Sequence, residues 1–271
     1  MEEILIHNNE TVAETGQNTK IHPWRLCPLG KHYVREHREH IPPSKKHPAG
    51  EIIIRHAHCA NNPLKKNGRQ IKDVISFDEL RIISKAHFSQ LEGAPEADVL
   101  EYPRADEFDA LIRGWVLYWN EVFEAKDLLD PNLVKALIAS ESGFNPDIVN
   151  FKNPPEIGPA RGLMQLTDIT LRILHAHEDE LRDHFIYLSH AKAMDPSANI
   201  CAGTRWLFQK RAGAKERYAK IDPDHVITWE DAVAEYKGVL GSMLNKNNKH
   251  PDPENKMDKF RNIYDKFLEK S

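Results

Sequence analysis

The sequence predicts a mainly α protein: a helical C-terminal domain joined to a small Cys/His-rich N-terminal module of short strands and loops. Three observations predict it. From about residue 106 onward, apolar residues recur at helical spacing behind clear helix-start signals. Residues 21–68 are instead rich in His, Pro, Lys and Arg and poor in acids. Hydrophobic residues make up 40% and charged residues 29% of the 271, enough to bury a core in one large domain or two small ones.

Residues 1–20 are polar and without periodicity, the pattern of a flexible tail. In the module at 21–68, Glu51-Ile52-Ile53-Ile54-Arg55 has the β-branched content of a strand, with His32-Tyr33-Val34-Arg35 as its expected partner. Pro42-Pro43-Ser44 and Pro48-Ala49-Gly50 mark the connection. Three cysteines, Cys27, Cys59 and Cys201, cannot all pair with one another, so a disulfide framework is not expected. Cys and His at this density in so small a core point to a structural zinc, with Cys27, His37, His58 and Cys59 as the ligand set. The spacing is not that of a standard zinc finger, and basic surface histidines beside two small buried cysteines are the competing reading.

Residues 69–105 read as a linker with one helix. Ser76-Phe77-Asp78-Glu79 has capping-box form, Leu80, Ile83 and His87 follow at helical spacing, and Gly93-Ala94-Pro95 stops the run. In the domain at 106–271, Leu111, Trp115, Tyr118 and Val122 make one helix face. Asp130-Pro131 and Asp195-Pro196 are a cap followed by proline at the first helical position. Thr228-Trp229-Glu230-Asp231 opens another helix with acids in its first turn, and Trp229, Ala232, Val233 and Tyr236 form its inner stripe. A last helix is expected from about Pro253 to Phe267, and Cys201 reads as a small buried hydrophobe.

The helix after Pro131 carries the chemistry. Val134, Leu137, Ile138 and Glu141 fall at i, i+3, i+4 and i+7, so a glutamate takes the last place on an apolar stripe. Burial disfavours a charged carboxylate, and a neutral carboxylic acid can donate a proton to a glycosidic oxygen. A helix-end glutamate turned to water is the competing reading. A net charge of -4 excludes a general nucleic-acid binder. No run approaches the roughly 20 apolar residues of a membrane helix, and the N-terminus lacks the apolar region of a secretory signal.

Ala139-Ser140-Glu141-Ser142-Gly143-Phe144-Asn145-Pro146 resembles the catalytic block of the soluble lytic transglycosylase family. Gly162-Leu163-Met164-Gln165-Leu166 resembles its second block, and Asp195-Pro196 with Asn199-Ile200 and Gly203 its third. Ala234-Glu235-Tyr236-Lys237-Gly238 is similar to its fourth, usually written A-Y-N-x-G. All four stand in the family's order.

The resemblance implies a lysozyme-like helical domain that cleaves the MurNAc–GlcNAc β-1,4 bond of peptidoglycan and leaves a 1,6-anhydro sugar. Glu141 would be the acid and then the base, oriented by Ser142. Gln165 would contact the sugar, the Met164 backbone would line the cleft, and Tyr236 would face the carboxylate and help set its proton affinity. The family uses one carboxylate because the substrate's N-acetyl group stabilises the oxocarbenium-like state and its own 6-hydroxyl attacks, unlike the usual two-carboxylate scheme. No catalytic cofactor is implied. Lys237 stands where Asn is expected, either to pair with a substrate carboxylate or to weaken sugar binding. Thr167-Asp168-Ile169-Thr170 lacks the family's usual proline.

The Cys-Pro-x-Gly, Pro-Pro-Ser and His-Cys pattern of the N-terminal module is similar to leaders on bacterial antagonism effectors. That would imply a protein made in the cytoplasm and exported by a contractile injection system to the periplasm or cell wall, with an immunity protein as partner. The alternatives are a lysozyme-type muramidase of phage origin, which uses water, and a non-catalytic wall-binding module.

Overall fold

In chain order the strands and helices of the N-terminal part are β1 (Lys31–Val34), β2 (His37–Ile41), β3 (Glu51–Arg55), β4 (His58–Asn61), β5 (Val74–Ser76) and α1 (Phe77–His87). Then come α2 (Asp109–Val122), α3 (Pro131–Ser142), β6 (Val149–Asn150), β7 (Ala160–Arg161), β8 (Leu166–Thr167), α4 (Asp168–His175) and β9 (Phe185–Tyr187). The chain ends in α5 (Pro196–Tyr218), α6 (Trp229–Tyr236), α7 (Leu240–Leu244) and α8 (Pro253–Leu268). This computed structural model describes residues 22–65, 68–176, 181, 183–245 and 253–270; the expected tail at 1–20 lies outside them. The protein is mainly helical, as predicted, with its short strands concentrated in the N-terminal part.

The first four strands form two ribbons in series. β2 pairs antiparallel with β3, from His37 opposite Arg55 to Ile41 opposite Glu51. β1 pairs with β4, from Lys31 opposite Asn61 to Val34 opposite His58. The expected pairing of residues 32–35 with 51–55 is thereby corrected. The Pro-rich connection returns the chain at once, so residues 51–55 meet the strand just before the turn, and 32–35 are left for the next segment out.

Cys27 and Cys59 form a disulfide at a Cα separation of 5.7 Å, closing the ribbons at their base. This overturns two expectations. The module is disulfide-bonded, and the zinc set Cys27, His37, His58, Cys59 does not stand, because a bonded sulfur is not the thiolate that zinc takes. His37 and His58 are exposed, each with Nδ1 on a nearby backbone carbonyl, that of Arg35 at 3.0 Å and of His56 at 2.9 Å. The third cysteine, Cys201, is free and buried, as predicted.

A charged knot ties the module to the helices. Arg25 is buried and donates to Glu79 Oε1 (2.7 Å), to the Val74 carbonyl (2.8 Å) and to Asp73. His184 Nδ1 lies 2.7 Å from the other oxygen of Asp73. Burial alone would raise the Asp73 pKa, but the His184 hydrogen bond and the Arg25 charge outweigh it and hold the carboxyl at about 2. The predicted cap at Ser76 forms, its hydroxyl accepting from Glu79 N at 3.3 Å. The Glu79 carboxylate goes to Arg25 and to the Leu26 N–H (2.9 Å). Beside this knot β5 pairs parallel with β9, which joins residues 74–76 to the helical domain.

α5 is the central helix. Its residues Ser197–Leu207 are buried on every side, which a helix tolerates only inside a domain. α2 packs on it with Trp115, Tyr118 and Val122 inward, as the stripe predicts, while Leu111 sits at the core's edge. The indoles are satisfied across this contact: Trp115 Nε1 donates to Ser197 Oγ (3.0 Å) and Trp119 Nε1 to the Cys201 carbonyl (2.9 Å). Ile71, Val74, Leu80 and Ile83, from the stretch read as a linker, enter the same core. No helix among the described residues is long and apolar enough to cross a membrane.

The disulfide closes a loop across a sequence separation of 32, and constraining an unfolded loop of that size is worth about 4 kcal/mol. The Cys27→Ser, Cys59→Ser double variant should therefore unfold at lower denaturant, with hydrogen exchange rising in residues 22–65 before the helices. Asp73 is held below the ordinary carboxylate range, so its contribution is complete above about pH 4 and lost as pH falls through about 2, roughly 2 kcal/mol in all. Asp73→Asn should be less stable near neutrality and show a shallower acid slope in denaturant titrations across that window.

Candidate active site

α3 is started and stopped by local sequence. The Asp130 carboxylate accepts from Asn132 N at 2.8 Å, and Pro131 occupies the first helical turn. Gly143 ends the helix in the left-handed region at φ 58°. Phe144, also left-handed, then drives its ring into the core against Tyr102. The chain turns sharply away, so the last turn of α3 is left at the mouth of a cleft of about 590 Å³.

The end of α3 forms one wall of the cleft with Ser140 and Glu141. The small β6–β7–β8 sheet and its loops face it with Asn150, Asn153 and Gln165. The end of α6 contributes Tyr236 and Lys237, and the start of α8 contributes Asn255, Lys256 and Lys259. Glu141 is the one carboxylate among the described lining residues. Asp147 and Glu156 are exposed and do not line it.

The structure brings Glu141, Gln165, Tyr236 and Lys237 together, with contacts that differ from expectation. The Glu141 side chain is 20% exposed, and its Oε1 accepts from Lys237 Nζ at 2.5 Å. Lys237, expected either to pair with a substrate carboxylate or to weaken sugar binding, lines the cleft and meets the acid, and its Nζ also donates to Ser140 Oγ at 2.8 Å. Tyr236 does not hydrogen-bond Glu141: its hydroxyl donates to the Met164 carbonyl at 2.6 Å. Burial, and then the nearby Glu141 charge, push the Tyr236 pKa well up, so the phenol stays neutral.

Ser142 does not reach the carboxylate either. Its hydroxyl donates to the Ile138 carbonyl at 3.2 Å, a bond within the helix. The Met164 side chain is fully buried, and a Cβ on Gly203 would lie 2.3 Å from its sulfur, so glycine at 203 is what admits it. Gln165, left-handed at φ 49°, is held by a 2.9 Å bond from Nε2 to the Gly162 carbonyl.

Three residues matter here that sequence reasoning left without a role. Asn199 is fully buried; it accepts from Met164 N (2.7 Å) and donates to the carbonyls of Ala193 (2.7 Å) and Arg161 (3.1 Å). It fixes the 161–165 loop to α5, and its place one turn after the Asp195 cap was the available signal. Ser140 anchors Lys237 and donates to the Leu137 carbonyl at 2.8 Å. Lys259 donates to the Ser140 carbonyl at 3.0 Å; nothing local in α8 marks it, since only the packing of α8 on α3 brings it there.

Among the described residues, the group that gathers three ligand-type atoms within 4.8 Å is His22, Asp73 and His184, none of which lines the cleft. Its Asp73 is the carboxylate already bound by Arg25.

A buried helix ending in a lone carboxylate, opposite a three-stranded sheet across a cleft, defines the C-terminal part as a lysozyme-like helical domain. The family model described as the transglycosylase SLT domain matches residues 119–258, just over half of the chain, and the chain belongs to that family. Neither the search of curated proteins nor that of solved structures returned a match.

Asn199→Ala tests the support of the cleft. It strands a buried N–H, a buried carbonyl and a part-buried one, and should cost about 3 kcal/mol in denaturant unfolding.

Proposed function

We propose that this protein is a peptidoglycan lytic transglycosylase in which Glu141 is the single acid/base. The observation that carries the reading is Glu141 itself: the one carboxylate among the described lining residues, at the end of a helix placed by buried neighbours, in a cleft lined mostly by amides, hydroxyls and lysines. Membership of the SLT family supports a glycan-cleaving activity on peptidoglycan.

In this reading the protonated Glu141 gives its proton to the glycosidic oxygen as the bond from the MurNAc anomeric carbon to that oxygen breaks. The sugar's own N-acetyl group stabilises the positive charge that develops at that carbon. Glu141, now a carboxylate, takes the proton of the 6-hydroxyl as its oxygen attacks, giving the 1,6-anhydro product and restoring the acid. One carboxylate serves both halves, and no water is consumed. Tyr236 holds the Met164 carbonyl, and with Asn199 it keeps the Met164–Gln165 backbone in place beside the sugar.

A site of action outside the cytoplasm belongs to the same proposal. The Cys27–Cys59 disulfide favours an oxidising compartment, where the wall substrate also lies. A secretion apparatus and an immunity protein are the partners such a protein would have.

Mass spectrometry of digested peptidoglycan tests the reading. Wild type should release 1,6-anhydro muropeptides, and Glu141→Gln should lower their yield by about a hundredfold or more. Reducing-end products lost in the same variant would make the enzyme a hydrolase. Toxicity on periplasmic but not cytoplasmic expression, abolished by Glu141→Gln, is expected for the site of action.

A further inference from the structure

Glu141 occupies an awkward place for an acid that must become an anion. It lies in the last turn of α3, where the helix presents its carbonyl oxygens and the negative end of its dipole. A carboxylate formed there is opposed by its own helix, so a cation at close range favours the charge developing on Glu141.

Lys237 is that cation, and it is held in place. Its side chain is 8% exposed. Its Nζ bridges Ser140 Oγ and Glu141 Oε1, and the Ser140 hydroxyl is itself committed to the Leu137 carbonyl. The position of the ammonium is therefore set by α3, the helix that carries the acid. The second oxygen of Glu141, Oε2, has no hydrogen bond to a described residue, and the side chain lines the cleft. The other titratable groups at this end of the cleft are Tyr236, neutral and bound to the Met164 carbonyl, and Lys256 and Lys259 of α8, the latter donating to the Ser140 carbonyl.

We infer that Lys237 is a positioning residue for the reaction: it fixes Oε1, leaves Oε2 to exchange the proton with the glycan, and offsets the charge Glu141 acquires when that proton leaves. The inference rests on the transglycosylase reading above and deepens it. No bond is made to Lys237 and no proton need leave it. It acts as a preorganised charge aimed at the atom where negative charge develops. It also differs from a lysine that turns its whole ammonium to a substrate carboxylate, because two of its three N–H donors are taken by Glu141 and Ser140.

Steady-state cleavage of a soluble peptidoglycan fragment by wild type, Lys237→Met, Lys237→Asn and Lys237→Arg separates these roles. Loss of the cation should lower kcat by about tenfold to a hundredfold with KM changed less than about threefold. Lys237→Arg, which keeps the charge, should recover most of the rate. Melting midpoints are measured alongside, and if Lys237→Met does not fold, the Asn and Arg variants carry the comparison. A raised KM with intact kcat would overturn the inference in favour of substrate binding. Equal losses in Asn and Arg, or no loss in either, would overturn it as well. Wild type inactive on every peptidoglycan, with Glu141→Gln indistinguishable from it, would instead remove the transglycosylase reading.

Discussion

A carboxylate at the C-terminal end of a buried helix works against the helix's own carbonyl groups, and much of the domain is arranged around that constraint. α3 must end where it does, or Glu141 would sit in the core with no access to a glycan. Positive charge also meets it there. The left-handed pair Gly143 and Phe144 ends the helix by turning the chain away at once. The charge comes from two directions, Lys237 from the end of α6 and Lys259 from α8, each touching the last turn of α3. Neither helix is next to α3 in the chain, so the site exists only once the domain has closed.

The opposite wall depends on a different device. The 161–165 loop has little secondary structure of its own, and Gly162 and Gln165 both adopt left-handed backbone conformations. Asn199 supplies from α5 the hydrogen bonds that a strand or helix would have made, and Gly203 one turn later leaves room for the Met164 side chain. Buried polar atoms of this kind are costly when unpaired and rigid when paired, which suits a loop that must present a fixed edge to a sugar.

The N-terminal ribbons have a thin core of their own and hang on covalent and ionic ties. Cys27–Cys59 closes them, and Arg25 locks them to Asp73 and Glu79 at the edge of the main core. Glu79 shows how tertiary structure redirects a local motif. Three residues after a serine cap it has the sequence of a capping box, yet its carboxylate answers the buried guanidinium, because an unpaired Arg25 at that depth would cost more than one helix-end N–H.

Local order was legible in the sequence because its causes are local. Asp130-Pro131, Asp195-Pro196 and Thr228 start helices through hydrogen bonds made within three residues, and all three do so. The apolar spacing of Val134, Leu137 and Ile138 points Glu141 toward the core, whereas the structure buries α3 on every side up to Ser140 and leaves Glu141 20% exposed at the cleft. What only the tertiary structure decided are meetings between distant residues. Cys27 finds Cys59, residues 51–55 pair with 37–41 rather than 32–35, and Lys237 reaches across 96 positions to Glu141. Spacing along a chain carries no record of such meetings, since each is set by how whole elements pack and by which buried charge must find its counter-charge.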